Sequence, residues 1–185
     1  DIDVLLSMGK KHLYVVEKDD TDVHENEAAF RIASKAAGEG IRLTEPSEGK
    51  IELIAEKRGL LKVDADLLID LIDQDEIMFA SIHENIVVEQ GQKLAGTRVI
   101  PLFVDEAVVK QAEGVLDRGT LIKIEPLRSL KIGVVTTGSE VYYHRIEDKF
   151  TPVVIEKLKE CGVTEVKQIQ CNDDHEMITE AIQTL

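Results

Sequence analysis

The residues whose types and spacing suit chemistry are Thr136-Thr137-Gly138-Ser139-Glu140, then Arg145 and Asp148, and finally Asp173-Asp174. The hydroxyls of Thr136, Thr137 and Ser139 and the backbone N–H groups of a turn can donate to an anionic group, and Gly138 lets a ligand approach the main chain closely. Arg145 and Lys149 add positive charge locally. Asp173 and Asp174 precede a helix, so one of the pair is expected to cap it, while the other offers hard oxygens suited to Mg2+ or a metal-bound oxyanion. Glu140 and Asp148 are secondary acids, equally readable as solvated loop residues.

Regular elements must hold these groups in place, and the flanking pattern supplies them. Lys131 to Val135 is an apolar run that passes directly into the hydroxyl-rich turn, as a buried strand would. Val153 to Leu158 has apolar positions at helical spacing, Glu165 to Gln170 alternates with period two, and a final amphipathic helix runs from about Glu176 to Leu185. Two successive β-loop-α units place both loops at the carboxyl ends of neighbouring parallel strands, where open α/β sheets bind ligands.

The run Thr-Thr-Gly-Ser-Glu-Val, the following Arg-Ile-x-Asp-x-Phe-x-Pro, a helix, and a strand ending in Asp-Asp resemble the molybdopterin-binding domain of molybdenum-cofactor biosynthesis. That family includes the molybdopterin adenylyltransferases and molybdotransferases, the MogA-like and MoeA-like proteins. The resemblance covers roughly residues 129 to 185; upstream, residues 24 to 29 and 94 to 102 look like an uncharacterised branch of molybdopterin-binding proteins.

The resemblance implies that Thr136, Thr137, Gly138, Ser139, Glu140, Arg145 and Asp148 contact molybdopterin, and that Asp173, with Asp174 adjacent, is the catalytic acid. Asp173 would be the Mg2+ ligand, with ATP or adenylylated molybdopterin and molybdate as reactants. In that family a further strand with a Gly-Gly-x-Ser or Gly-Gly-x-Gly loop follows, so the chain is expected to be a fragment. His144 departs from the family pattern, which has glycine before the Arg-Ile pair, and Ser139-Glu140 replaces the Asp common after Thr-Gly in the molybdotransferase branch. If the backbone at 144 needs positive φ, histidine narrows its options. The alternatives are a non-catalytic pterin-binding or regulatory module, and a nucleotide hydrolase of the competence-damage-inducible type. A homo-oligomer is expected by the same resemblance.

Composition bounds the rest. A formal net charge of −14 over 185 residues argues against nucleic acid or an anionic membrane as partner. Cys161 and Cys171 lack metal-ligand spacing and are expected to be free thiols. No apolar run approaches the ~20 residues that span a bilayer, and a cytoplasmic protein is expected.

The fold class expected is α/β: an N-terminal mixed α+β region (residues 1–125, β-rich over about 41–102) followed by the first half of an open parallel α/β molybdopterin-binding domain (residues 126–185). Within the first part, Asp3 to Met8 reads as a short helix closed by Gly9, and Leu13 to Val16 as a strand. The helix His24 to about Ala37 buries Ala28, Ala29, Ile32, Ala33 and Ala36. Strands are expected over 41–44, 50–55, 60–63, 77–80, 86–88, 97–102 and 121–124. Helices are expected over 65–72, capped by Asp64, and 104–116. The tripeptide His-Glu-Asn, at 24–26 and 83–85, lacks a zincin's second histidine and is expected to make capping and turn hydrogen bonds.

Overall fold

The computed structural model describes residues 2–9, 12, 19 and 21–185. Helix α1 (Ile2–Ser7) ends at Gly9, whose φ of 80° and N–H bond to the Leu6 carbonyl make the expected left-handed stop. The strand expected over 13–16 lies outside the described residues.

Strand β1 (Asp22–His24) leads into α2 (Glu25–Ala36), and His24 Nδ1 caps the helix by accepting from Asn26 N at 3.2 Å. Ala28, Ala29, Ile32, Ala33 and Ala36 are all fully buried, as their 3.6-residue spacing requires. Four alanines on that face let the helix lie close to the strands beneath it. After α2 the chain runs through β2 (Ile41–Leu43), β3 (Lys50–Ala55) and β4 (Gly59–Val63). Asp64 then caps α3 (Ala65–Ile72) by accepting from Leu67 N at 3.0 Å. Strands β5 (Ile77–Ser81), β6 (Val87–Val88), β7 (Lys93–Val99) and β8 (Phe103–Asp105) follow, then α4 (Glu106–Leu116) and β9 (Ile122–Glu125).

These strands form antiparallel sheets in the orders β2-β3-β7-β5 and β6-β4-β9, with β1 paired to β8. The main core draws on residues from Val23 to Ile124, with α2 lying against β3, β7 and α4. Arg31 ties the two helices: Nε and Nη2 donate to Glu113 at 2.9 and 2.7 Å, and Nη1 donates to Glu106 at 2.8 Å. That guanidinium holds both carboxyls below the usual carboxylate range.

Two expected boundaries are corrected. The strand expected over 97–102 is β7 over 93–99; Ile100 and Leu102 are exposed and follow it. The helix expected from Val104 begins at Glu106, because Val104 is buried in β8 opposite Val23, and Asp105 caps the helix through Ala107 N at 2.7 Å. Of the two His-Glu-Asn copies, the first makes the expected local cap through His24, while the asparagine of each bonds 23 residues away. Asn26 Oδ1 accepts from Gly49 N at 2.8 Å, and Asn85, at φ 61°, accepts from Lys62 Nζ. Both cysteines are free thiols, and no helix among the described residues is long and apolar enough to cross a membrane.

The remaining elements are β10 (Lys131–Thr137), α5 (Ser139–Tyr142), α6 (Phe150–Glu160), β11 (Glu165–Cys171) and α7 (His175–Thr184). β10 and β11 pair in parallel, in register from Lys131↔Glu165 to Thr137↔Cys171. Helix α7 packs on both strands, and Leu185 lies so close to Gly133 that a Cβ there would sit 2.8 Å from its Cδ1.

Candidate functional site

Because the strands are parallel and in register to Thr137 and Cys171, both chains leave the sheet at one end. The first exit turns through Gly138, at φ 137° and ψ 121°, a conformation closed to side-chain-bearing L residues without strain. The second exit carries Asn172, Asp173 and Asp174. One hydrogen bond joins the loops: Ser139 N donates to Asp173 Oδ2 at 3.1 Å. Asp173 is exposed, and its other oxygen has no donor among the described residues. Asp174 caps α7, its Oδ1 accepting from Glu176 N and Met177 N at 3.0 and 3.1 Å. The paired aspartates thus divide their work, one capping and one bridging.

Asp148 is the most heavily bonded acid here. Its Oδ1 accepts from Phe150 N and Thr151 N, at 3.1 and 2.9 Å, at the start of α6; its Oδ2 accepts from Gln168 and Gln170 Nε2, at 3.3 and 3.2 Å, on β11. The Thr151 hydroxyl lies beside Asp148 and meets the Thr136 hydroxyl at 2.6 Å, so Thr136 faces inward onto buried Thr151. Thr151, Gln168 and Gln170 were not legible as site residues, because the bonds to the glutamines cross 20 and 22 residues.

These donors, first the Thr151 hydroxyl and then its amide, hold the Asp148 carboxyl below the usual carboxylate range. The folded value lies under the unfolded one, so the stability it contributes is full above about pH 4 and is lost as pH falls through the lowered value. The deficit of an Asp148→Asn variant relative to wild type should therefore shrink in acid, read by chemical denaturation at a series of pH values. A deficit constant down to pH 2 would contradict this account.

Thr136, Thr137 and Asp148 line an open cleft of about 710 Å3, together with Val141, Ile146, Glu147, Lys149 and Phe150. Glu140, Ser139 and Arg145 lie outside that lining. The exposed Glu140 offers its backbone carbonyl to Arg145 N at 2.8 Å, and the Arg145 guanidinium sits 5.5 Å from the Tyr143 ring centroid. A smaller cavity of about 110 Å3 lies at the far end of the strands, between Lys131, Glu165 and Leu185, away from both loops.

The turn after α5 explains the unusual His144. His144 N bonds the Val141 carbonyl at 3.0 Å and Arg145 N bonds the Glu140 carbonyl at 2.8 Å, the paired bonds of a left-handed helix stop, with His144 at φ 55°. The position does need positive φ. Glycine would remove a strain of about 1–2 kcal/mol, offset by its greater freedom when unfolded, roughly 0.5–1 kcal/mol. His144→Gly should thus raise stability by about 0.5–1 kcal/mol, measured as a higher urea midpoint at unchanged slope; a lowered midpoint would refute it.

For a cation, no group of three or more His, Cys, Asp or Glu converges among the described residues. Asp173 has one oxygen with no donor among the described residues, which suits Mg2+, an ion held by one or two carboxylates together with substrate phosphates and water.

A parallel strand pair that sends two bridged polar loops to one end, beside an open cleft, has the arrangement of an α/β small-molecule-binding unit. Residues 133–185 match the family described as a probable molybdopterin binding domain. The match bears out the resemblance of this stretch to the MogA-like and MoeA-like molybdopterin-binding proteins and supports a part in molybdenum-cofactor biosynthesis. No curated protein and no solved structure matched the chain.

Proposed function

We propose that the chain binds molybdopterin in molybdenum-cofactor biosynthesis and acts on it as a molybdotransferase or adenylyltransferase-like protein. Residues 126–185 would be the N-terminal part of the binding domain, and residues 1–125 a separate α+β region. The observation that carries this proposal is the family match over 133–185, the stretch that contains both loops and the cleft. Within it, exposed Thr137 and the half-buried amide of Gly138 would donate to the terminal phosphate, since Thr136 is engaged with Thr151 and Ser139 N with Asp173. Asp173 keeps the loops together through Ser139 N and retains one oxygen for a cation. Mg2+, when bound there, would shield phosphate charge. Asp148 acts as an internal strut that fixes α6 to β11.

A second proposal keeps the pterin and drops the chemistry: a non-catalytic binding or regulatory module, in keeping with the structural bonds that both aspartates make, Asp173 to Ser139 N and Asp174 to the first turn of α7. The test is titration of molybdopterin into the chain, with and without Mg2+ and ATP, followed by assays of adenylyl transfer and molybdate insertion. Saturable binding strengthened by Mg2+ and accompanied by turnover supports the enzyme. Tight binding with no turnover supports the module, and no binding at any attainable concentration sinks both.

A further inference from the structure

The cleft beside β10 has a composition that the phosphate loop does not account for. Its volume, about 710 Å3, lies within the range of roughly 300–1,000 Å3 usual for small-molecule sites. Ile146 and Phe150 line it with 57% and 75% of their surface exposed. Large apolar side chains left open to water at a concave surface mark a contact site. The cleft's acids also differ. Both Asp148 oxygens are occupied by internal donors, whereas Glu147 beside it is exposed and makes no hydrogen bond or ion pair among the described residues. Lys149 supplies positive charge to the same lining.

Resting on the proposal that this segment binds molybdopterin, we infer that the cleft takes the pterin ring itself: Phe150 and Ile146 form the apolar face against which the ring lies, and Glu147 accepts from its 2-amino and N3–H groups. That edge of a 2-amino-4-oxo heterocycle carries two adjacent donors, the pattern that a carboxylate's two oxygens accept side by side. Adenine presents an amino donor next to a ring-nitrogen acceptor, so one carboxylate oxygen would face a lone pair. Guanine shares the pterin edge. The cleft is therefore a specificity-determining subsite that adjoins, through Thr137, the loop that receives the phosphate.

The test is equilibrium dialysis of the full chain against 6-hydroxymethylpterin phosphate, guanosine monophosphate, adenosine monophosphate and inorganic phosphate. Wild type should bind the pterin phosphate about tenfold more tightly than the adenosine nucleotide. Glu147→Gln should lose about tenfold for the pterin and guanosine ligands and nothing for inorganic phosphate. Phe150→Ala should lose about tenfold for every ring-bearing ligand, because an aromatic face stacks on any base. Both positions are exposed, so circular dichroism should register no loss of fold. Unchanged pterin affinity in both variants overturns the inference and leaves the pterin-binding proposal standing. Tighter binding of the guanosine nucleotide overturns the pterin in favour of a guanine ligand. Failure of wild type to bind the pterin phosphate more tightly than inorganic phosphate overturns both.

Discussion

Gly138→Val should cost the chain most of its affinity for molybdopterin while leaving the unfolding of the N-terminal core unchanged. The residue lies at φ 137° and ψ 121°, a region that a β-branched residue enters only with strain. A Cβ there would meet no atom within 4 Å, so the penalty is conformational and not a clash. A strained backbone position costs about 1–3 kcal/mol, and a turn that relaxes to avoid it carries Ser139 N away from Asp173. The loop then presents its donors in the wrong directions, and affinity should fall by roughly 5- to 150-fold, at tenfold per 1.4 kcal/mol. Calorimetric titration with molybdopterin reads this directly, and Gly138→Ala should lose less because alanine lacks the second branch at Cβ. Equal affinity of wild type and the valine variant would show that the loop does not hold the ligand.

The largest effect on stability is expected at Ile32. Its side chain is fully buried on α2, the helix that packs against β3, β7 and α4. Its truncation removes apolar contacts and leaves a cavity that rigid strands cannot fill, at a cost of about 2–5 kcal/mol for Ile32→Ala. At roughly 2–4 °C per kcal/mol for a chain of this size, the thermal transition should fall by about 10 °C. Phe30→Ala, two residues earlier and half exposed, is the control, with an effect within about 0.5 kcal/mol. Equal shifts for the two variants would mean that the buried face of α2 does not belong to the core.

How far such features can be read from sequence depends on the range of the interaction that fixes them. The buried face of α2 was legible because five small or branched residues repeat at helical spacing, and all five are buried. β10 and β11 were legible for the same local reason, but Thr136 and Thr137, expected in the turn, pair with Gln170 and Cys171 as the end of β10, Ser139–Tyr142 form α5, and β10, expected to be buried, has no buried residue. β7 was misplaced because Lys93-Leu94-Ala95-Gly96 has no strand signature of its own; pairing with β3 and β5 on either side makes it a strand. β8 was absorbed into a helix because three residues carry too little periodicity, and only the antiparallel pairing with β1 separates them from α4. In the candidate site, the chemistry-bearing types were visible. Their division of labour was not: Asp148 is a strut through glutamines on another strand, and Asp173 bridges to an amide 34 residues away.

Helix α6 is held at both ends. Asp148 binds its first turn to β11, and at its last turn Arg58, in the turn between β3 and β4, donates from Nη2 to the Glu160 carbonyl at 2.7 Å while its Nε holds Glu89 at 2.8 Å. At 1.5 Å per residue the helix is a rigid bar of roughly 16 Å, with the cleft at one tip and the N-terminal sheets at the other. Arg58 thus ties the far end of α6 to the turn between β3 and β4, and through Glu89 to the segment after β6.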